Sequence, residues 1–210
     1  MLKLSCPACG AQIEFKSRVS VFAVCSFCKS MVVRHDLDLE SLGKMALLPV
    51  DMSPLQIGTR GKYQNASFEL VGRMKIGWED GSWNEWYAVF DDGREGWLAE
   101  AQGFWMMSFQ SNETKQIPKL QKLFVGSTFT PSAGLIFQVD DIKAATCVGS
   151  EGELPFQSPK GRKTTSVDLS GPDNQFACIE YSDEGLRLYV GEYVDFEDFH
   201  FSGLREIDGW

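Results

Sequence analysis

The amino-acid sequence predicts a mainly β protein in which a small cysteine-stapled head precedes two small all-β modules of barrel or sandwich type. Three observations carry this expectation. Four of the six cysteines fall at positions 6, 9, 25 and 28. From Leu55 onward, β-branched and aromatic runs alternate with turn signals at short intervals and no long helical pattern interrupts them. A stretch near Leu55 returns near Leu123, as if one unit were written twice. At 43% hydrophobic and 23% charged residues, the 210-residue chain has the composition of a protein that buries a core, not of a disordered one.

The head comes first. Its cysteines read C-x2-C-x15-C-x2-C, a spacing that lets two tight knuckles converge on one ion. Cys6, Cys9, Cys25 and Cys28 are therefore the expected thiolate ligands of a structural Zn2+. A four-thiolate shell is closed, so no catalytic metal is expected, and the free thiols suit a reducing compartment in which disulfides are disfavoured. In the first knuckle Pro7 presets φ and Gly10 is free to take φ > 0; the second, Cys25-Ser26-Phe27-Cys28-Lys29-Ser30, is less ideal but compatible. Residues 11–16 and 19–24 read as a hairpin around Ser17-Arg18, and Met31-Val32-Val33 as a third strand. The layout resembles the zinc ribbon family, in which a sheet too small for its own core is held by the metal. This places a ribbon at 1–35. Residues 36–54 read as a connector, with Asp36 capping a short helical turn over 37–48 and with Pro49 and Pro54 as punctuation.

The body divides into a first β-module at 55–115 and a second, longer module of the same type at 120–210. Leu55-Gln56-Ile57-Gly58-Thr59 returns as Leu123-Phe124-Val125-Gly126-Ser127. Trp86-Tyr87-Ala88-Val89-Phe90-Asp91-Asp92-Gly93 has its counterpart in residues 177–185, and each ends in an acidic-Gly turn followed by a returning strand. In the 83–90 strand, alternation places Trp83, Glu85, Tyr87 and Val89 on one face and Trp86, Ala88 and Phe90 on the other, as in a central strand covered on both sides. Residues 152–156 read as an exposed contact loop, with Pro155 holding out Leu154 and Phe156; the alternative is that Phe156 folds inward as a plug.

Several of these stretches, Ile57-Gly58-Thr59-Arg60-Gly61, Phe68-Glu69-Leu70-Val71-Gly72-Arg73, Trp83-Asn84-Glu85-Trp86-Tyr87 and Trp97-Leu98-Ala99-Glu100-Ala101-Gln102-Gly103, together resemble the bacterial family known as domain of unknown function 4178. Gly152-Glu153-Leu154-Pro155-Phe156 and Tyr189-Val190-Gly191-Glu192 resemble its second copy in tandem members. The resemblance implies a bacterial origin and gene neighbourhoods with polyamine aminopropyltransferase-like and membrane or envelope-stress proteins. It implies no catalytic residue.

Charge bounds the partners. Residues 1–35 carry five cations against Glu14 alone, +4, which leaves −13 on residues 36–210 of a total of −9. With zinc and four thiolates the head falls to about +2. Nucleic acid is a poor partner for such a body, because its binding rests on cations that neutralise phosphates. No apolar run reaches the ~20 residues that span a bilayer, and no export signal core is evident, so the cytoplasm is the expected location, with any membrane link made through a partner protein.

The body offers no nucleophile elbow, phosphate loop or histidine-based metal motif. A histidine base is open only through His200, since His35 trails the ribbon. Cys147 and Cys178 read as small buried hydrophobes. Carboxylates cluster at Glu79-Asp80, Asp91-Asp92, Asp140-Asp141 and along Glu192, Asp195, Glu197 and Asp198, most simply as turns or a solvated face. Trp78, Trp83, Trp86, Trp97 and Trp105 stand beside carboxylates, a combination suited to an amine or a basic peptide, although core packing explains them as well. The favoured expectation is a non-enzymatic protein that binds a protein partner, in a membrane-stress or polyamine-linked system if the resemblance extends so far. The alternative is an enzyme or small-ligand protein that takes an amine.

Overall fold

The computed structural model describes residues 2–45, 48, 51–130 and 134–206. In the head, β1 (Leu2–Ser5) pairs with β2 (Gln12–Phe15), and β3 (Phe22–Val24) with β4 (Ser30–His35), so each cysteine knuckle forms the tip of its own hairpin. This corrects the expected hairpin around Ser17-Arg18. The reason lies in the knuckles, where Gly10 N donates to Cys6 O at 2.8 Å and Lys29 N to Cys25 O at 3.0 Å. Each bond reverses the chain inside the knuckle, and the antiparallel partner then comes from its far side. The helical turn expected over 37–48 is also corrected, because β5 (Asp38–Lys44) returns along β4. Asp36, at φ 53°, sits in a two-residue turn and caps no helix. Pro49 lies outside the described residues.

The body contains β6 (Arg60–Tyr63), β7 (Ala66–Trp78), β8 (Gly81–Phe90), β9 (Glu95–Ala101) and β10 (Phe104–Ser111), then β11 (Thr128–Phe129), β12 (Phe137–Leu154), β13 (Lys163–Ser170), β14 (Gln175–Ser182) and β15 (Gly185–Tyr193). Strands β7 to β10 form one antiparallel meander and β12 to β15 another. β7 pairs with β12 and β10 with β15, which closes an eight-stranded barrel. The segments 55–115 and 120–210, whose packing as one unit the sequence leaves open, each supply four strands to a single barrel. A four-stranded meander leaves two edges of unpaired backbone groups; joining first strand to first and last to last removes all four edges at once. Turn geometry recurs in the two halves. Thr59 N donates to Gln56 O and Gly58 N to Leu70 O, and in the second half Ser127 N donates to Phe124 O and Gly126 N to Val139 O, all at 2.8–3.0 Å.

Alternation along the strands sorts side chains between the lumen and two outer cores. Strand 83–90 is covered on both sides, as expected. Trp86, Ala88 and Phe90 pack outward with Leu55, Phe68 and Phe199, whereas Tyr87 packs inward with Met74, Ile76 and Trp97. The second half has its own outer core around Phe137, Val167, Leu169 and Ile179. Phe22, Val24, Val33 and Met45 of the head join the inward cluster, because β3 pairs with Gly152 to Leu154 at the end of β12. The head thus continues the barrel's sheet. Among the described residues no helix is long and apolar enough to cross a membrane.

Residues 152–156 are not an exposed loop. Leu154 is fully buried, and Phe156 stacks on Trp97 with ring centroids 5.7 Å apart, which is the inward alternative. The cause is backbone pairing: Val21 N donates to Leu154 O, so the segment is strand shared with the head. The seam is also tight. A Cβ on Gly72 would stand 1.9 Å from Glu153 O, and one on Gly152, at φ 69°, would stand 2.1 Å from Val71 O. Gly72→Ala is therefore expected to destabilise the protein by about 3 kcal/mol through overpacking against rigid backbone. Gly93→Ala, at a turn where φ is 89° but nothing lies within 4 Å, is expected to cost about 1 kcal/mol. Thermal melts of the two variants check this, and equal losses would remove the seam argument.

Candidate metal centre and barrel cavity

The two knuckles bring Cys6, Cys9, Cys25 and Cys28 together, with all four sulfurs within 4.8 Å of one another. Cys6 Sγ lies 3.7 Å from Cys28 Sγ, and Cys9 Sγ lies 3.8 Å from Cys25 Sγ. A tetrahedron with metal–sulfur bonds of about 2.3 Å has edges of about 3.8 Å, so the cluster is able to hold a metal ion with little adjustment. Each knuckle repeats the same backbone bonds: Cys6 N donates to Ala11 O, and Cys25 N to Ser30 O. Lys29, at φ 60°, occupies the left-handed position that Gly10 fills in the first knuckle. The Ser30 hydroxyl and amide hold the Cys28 thiol down to about 6. The Ala11 amide favours the Cys9 thiolate, yet the crowd of Cys28, Cys6 and Cys25 sulfurs, together with desolvation, pushes Cys9 up to about 12.

The cluster is tied to the barrel through the chain that follows β2. Lys16 N donates to Glu153 Oε1 at 2.7 Å, the Ser17 hydroxyl donates to Glu95, and Lys16 pairs with Glu69. Tyr87 OH, within the cluster shared by lumen and head, donates to Ser17 Oγ at 3.2 Å. Basic charge on the head is thus spent partly on the acidic body. Burial raises the Glu153 carboxyl even though the Lys16 and Ser17 amides favour its charge.

Inside the barrel lies a cavity of about 200 Å³ whose residues reach toward the turns at 79–80, 102–103 and 171–174. Trp78, Trp83 and Trp97 line it, with Phe104, Phe176 and Tyr189. Its acids are Glu85, Asp168 and Glu180. Arg162 Nη1 meets Glu180 at 2.6 Å, and Arg187 meets it at 3.4 Å. Lys143 pairs with Asp141, stands 3.9 Å from Asp168 and lies over the Trp78 ring at 4.9 Å. Glu85 accepts a 2.9 Å hydrogen bond from Trp83 Nε1, and no cation of the described residues pairs with it. Burial pushes Glu85 up to about 7, opposed by the Trp83 bond and the Arg162 charge and reinforced by Glu180 and Asp168. Asp168 is raised by burial against the pull of Lys143 and Ser166. Burial and these carboxylates hold Cys178 far above the ordinary thiol range, so it stays a neutral thiol.

The other residues singled out in the sequence lie elsewhere. Trp86 and Trp105 belong to the outer core, with Trp86 Nε1 donating to Glu100 at 3.0 Å and Trp105 against Phe196. Cys147 is buried, with Ser158 Oγ 3.4 Å from its sulfur. His35 is exposed beside Glu40, and His200 is exposed at φ 48°. Glu79-Asp80 and Asp91-Asp92 are turns, Asp140 accepts from Ser170 at 2.9 Å, and Glu192 accepts from Tyr63 OH at 2.6 Å. None of these carboxylates lines the cavity. The acids that do line it, Asp168 and Glu180, carry no sequence signal; only Glu85 was placed, by alternation, on the face of Trp83 and Tyr87.

The family model described as Domain of unknown function (DUF4178) matches residues 56–196, which run through both meanders as one unit. No curated protein and no solved structure matches the chain.

The desolvated Glu85 carboxyl makes stability depend on pH. Between about pH 4.5 and 7 the folded protein keeps a proton on Glu85 that the unfolded chain has released, so this group's contribution falls as pH rises through that window. Glu85→Gln carries no charge at any pH. Its stability relative to the unsubstituted protein is expected to rise from pH 5 to pH 8 by up to about 3 kcal/mol. Urea unfolding midpoints at the two values check this, and a difference that does not change with pH would contradict it.

Proposed function

The chain belongs to the DUF4178 family, a domain of unknown function, and on that premise we propose that it is a non-enzymatic binding protein whose zinc-stapled head closes one end of a barrel that takes a small molecule into its lumen. The observation that carries this reading is the cavity of about 200 Å³, whose wall combines three indoles with a half-buried carboxylate, Glu85, that no ion pair engages. Ligand sites are concave, mostly apolar and set with a few placed polar groups. Binding is favoured over catalysis because the one thiol in the wall, Cys178, is held in its poorly nucleophilic form. At the far end Phe156 stacks on Trp97, with the Arg187 guanidinium 4.3 Å from its ring, and the head's Phe22 and Val24 pack behind. Entry is therefore from the end that carries the 102–103 turn.

Zinc is the proposed ion. Four thiolates of tetrahedral spacing suit its preference for a closed sulfur shell, and its role is to hold two hairpins that have little core of their own. Such a site fits a reducing compartment, and the cytoplasm is the proposed location. Tandem descent of the two meanders from one unit is supported by their shared turn bonds and by the pairing of first strand with first and last with last. Recruitment of a protein partner is the second reading. Phe124, Val125 and Ile136, each more than 60% exposed, favour it, whereas Leu154 is fully buried and Phe156 is stacked on Trp97.

Two measurements test the proposal. Elemental analysis of untagged protein is expected to give one zinc per chain, falling below half in Cys25→Ser; no stoichiometric metal would overturn the zinc assignment. For the lumen, Ala99→Leu adds apolar bulk to the cavity from β9, opposite Glu85, without adding or removing a charge. A benzene-sized probe, benzyl alcohol, is expected to shift the Trp83 and Trp97 indole resonances saturably in the unsubstituted protein and at least tenfold more weakly in Ala99→Leu. Shifts equal in both would place the probe outside the barrel.

A further inference from the structure

We propose that the barrel cavity is built for a small organic cation, a primary ammonium carried on a single ring or short chain, with Glu85 as its counter-ion. The inference rests on the small-molecule reading above and names the ligand's chemistry. It follows from the charges around the lumen. Glu180 is met by Arg162 and Arg187, and Lys143 serves Asp141 and stands near Asp168. That leaves Glu85 with one hydrogen bond, from Trp83 Nε1, and no ion pair among the described residues, the Arg162 guanidinium acting on it only from beyond pairing distance. A carboxylate withdrawn from water in this way either keeps a proton or receives a positive charge.

The wall is arranged to deliver such a charge. Trp83 stands beside Glu85 with Trp78 and Trp97 farther along the same wall, and an ammonium is attracted to an indole face. The protein already makes this contact with its own amine, since Lys143 Nζ lies 4.9 Å from the Trp78 ring centroid in the same cavity wall. An anion entering here would meet Glu85, Asp168 and Glu180, while the nearby cations are already engaged. Size sets the remaining bound. A cavity of roughly 150 Å³ admits benzene, so about 200 Å³ admits one ring and a short aminomethyl arm.

Isothermal titration of the full-length, zinc-loaded protein at pH 7.5 with benzylamine and with benzyl alcohol, which share a shape but not a charge, tests the inference. Benzylamine is expected to bind at least tenfold tighter than the alcohol. Glu85→Gln is expected to bring benzylamine down to the affinity of the alcohol, whereas Asp140→Asn, whose carboxyl accepts from Ser170 away from the cavity, is expected to change the ratio by less than threefold. Equal binding of the two probes would overturn the cation inference and leave the small-molecule reading standing. Binding of neither would overturn both. Retention of the preference in Glu85→Gln, or its equal loss in Asp140→Asn, would overturn Glu85 as counter-ion.

Discussion

Strand β12 offers eighteen residues of backbone donors and acceptors to four neighbours. β11 and β13 pair with its first part, β7 crosses it at Cys147 to Gly152, and β3 of the head takes Gly152 to Leu154. Barrel closure and head docking therefore draw on the same run of hydrogen bonds. Around Gly72 and Gly152 the backbones approach so closely that a single Cβ would displace a carbonyl. Register there is fixed by steric exclusion, and a one-residue slip would exchange lumen and outer faces along the whole strand. Trp83, Glu85 and Tyr87 meet Asp168, Cys178 and Tyr189 across the lumen only because this seam holds.

Buried charge adds a second level of specification. The head is docked through Glu153, a carboxylate raised by burial that still accepts two backbone amides from Lys16 and Ser17. Breaking such an arrangement leaves an unsatisfied ion, so the geometry is strongly preferred even where its net contribution to stability is small. On the outer face, Asp51 answers Arg73, Lys75 and Arg205 together, and Arg73 lies over the Trp86 ring at 4.8 Å. The charges around Asp51 are thus matched within the fold. Glu85 departs from that pattern inside the lumen, and local departures from self-consistency concentrate where a molecule has work to do.

What the sequence made legible was local. Ligand spacing for a tetrahedral ion is short-range, so the cysteine cluster could be read from four positions. Period-2 alternation correctly covered both faces of strand 83–90 and set Glu85 beside Trp83. The similar segments at 55–59 and 123–127 adopt matching turns. Non-local pairing was not legible. Nothing between 55 and 210 says that the first strands of two meanders pair with each other, and without that pairing two modules look complete. Asp36 suits a helix cap and a left-handed turn equally, and only its pairing partners in β4 decide. Pro155 reads as the start of an exposed bend until β3 is placed against β12. Of the five tryptophans near carboxylates, Trp78, Trp83 and Trp97 face the cavity while Trp86 and Trp105 face outward, a division that follows from barrel closure and could not precede it.

The central claim is that the two meanders form one cooperative barrel, closed at two seams and continuous with the head. Native-state amide hydrogen exchange reads this directly. Amides in the β7–β12 seam, at Met74 and Ile76, and in the β10–β15 seam, at Phe109 and Val190, should exchange through one global opening with the same free energy. If β12 to β15 opened as a unit several kcal/mol below β7 to β10, the chain would be two modules side by side, and the shared lumen would not exist as described.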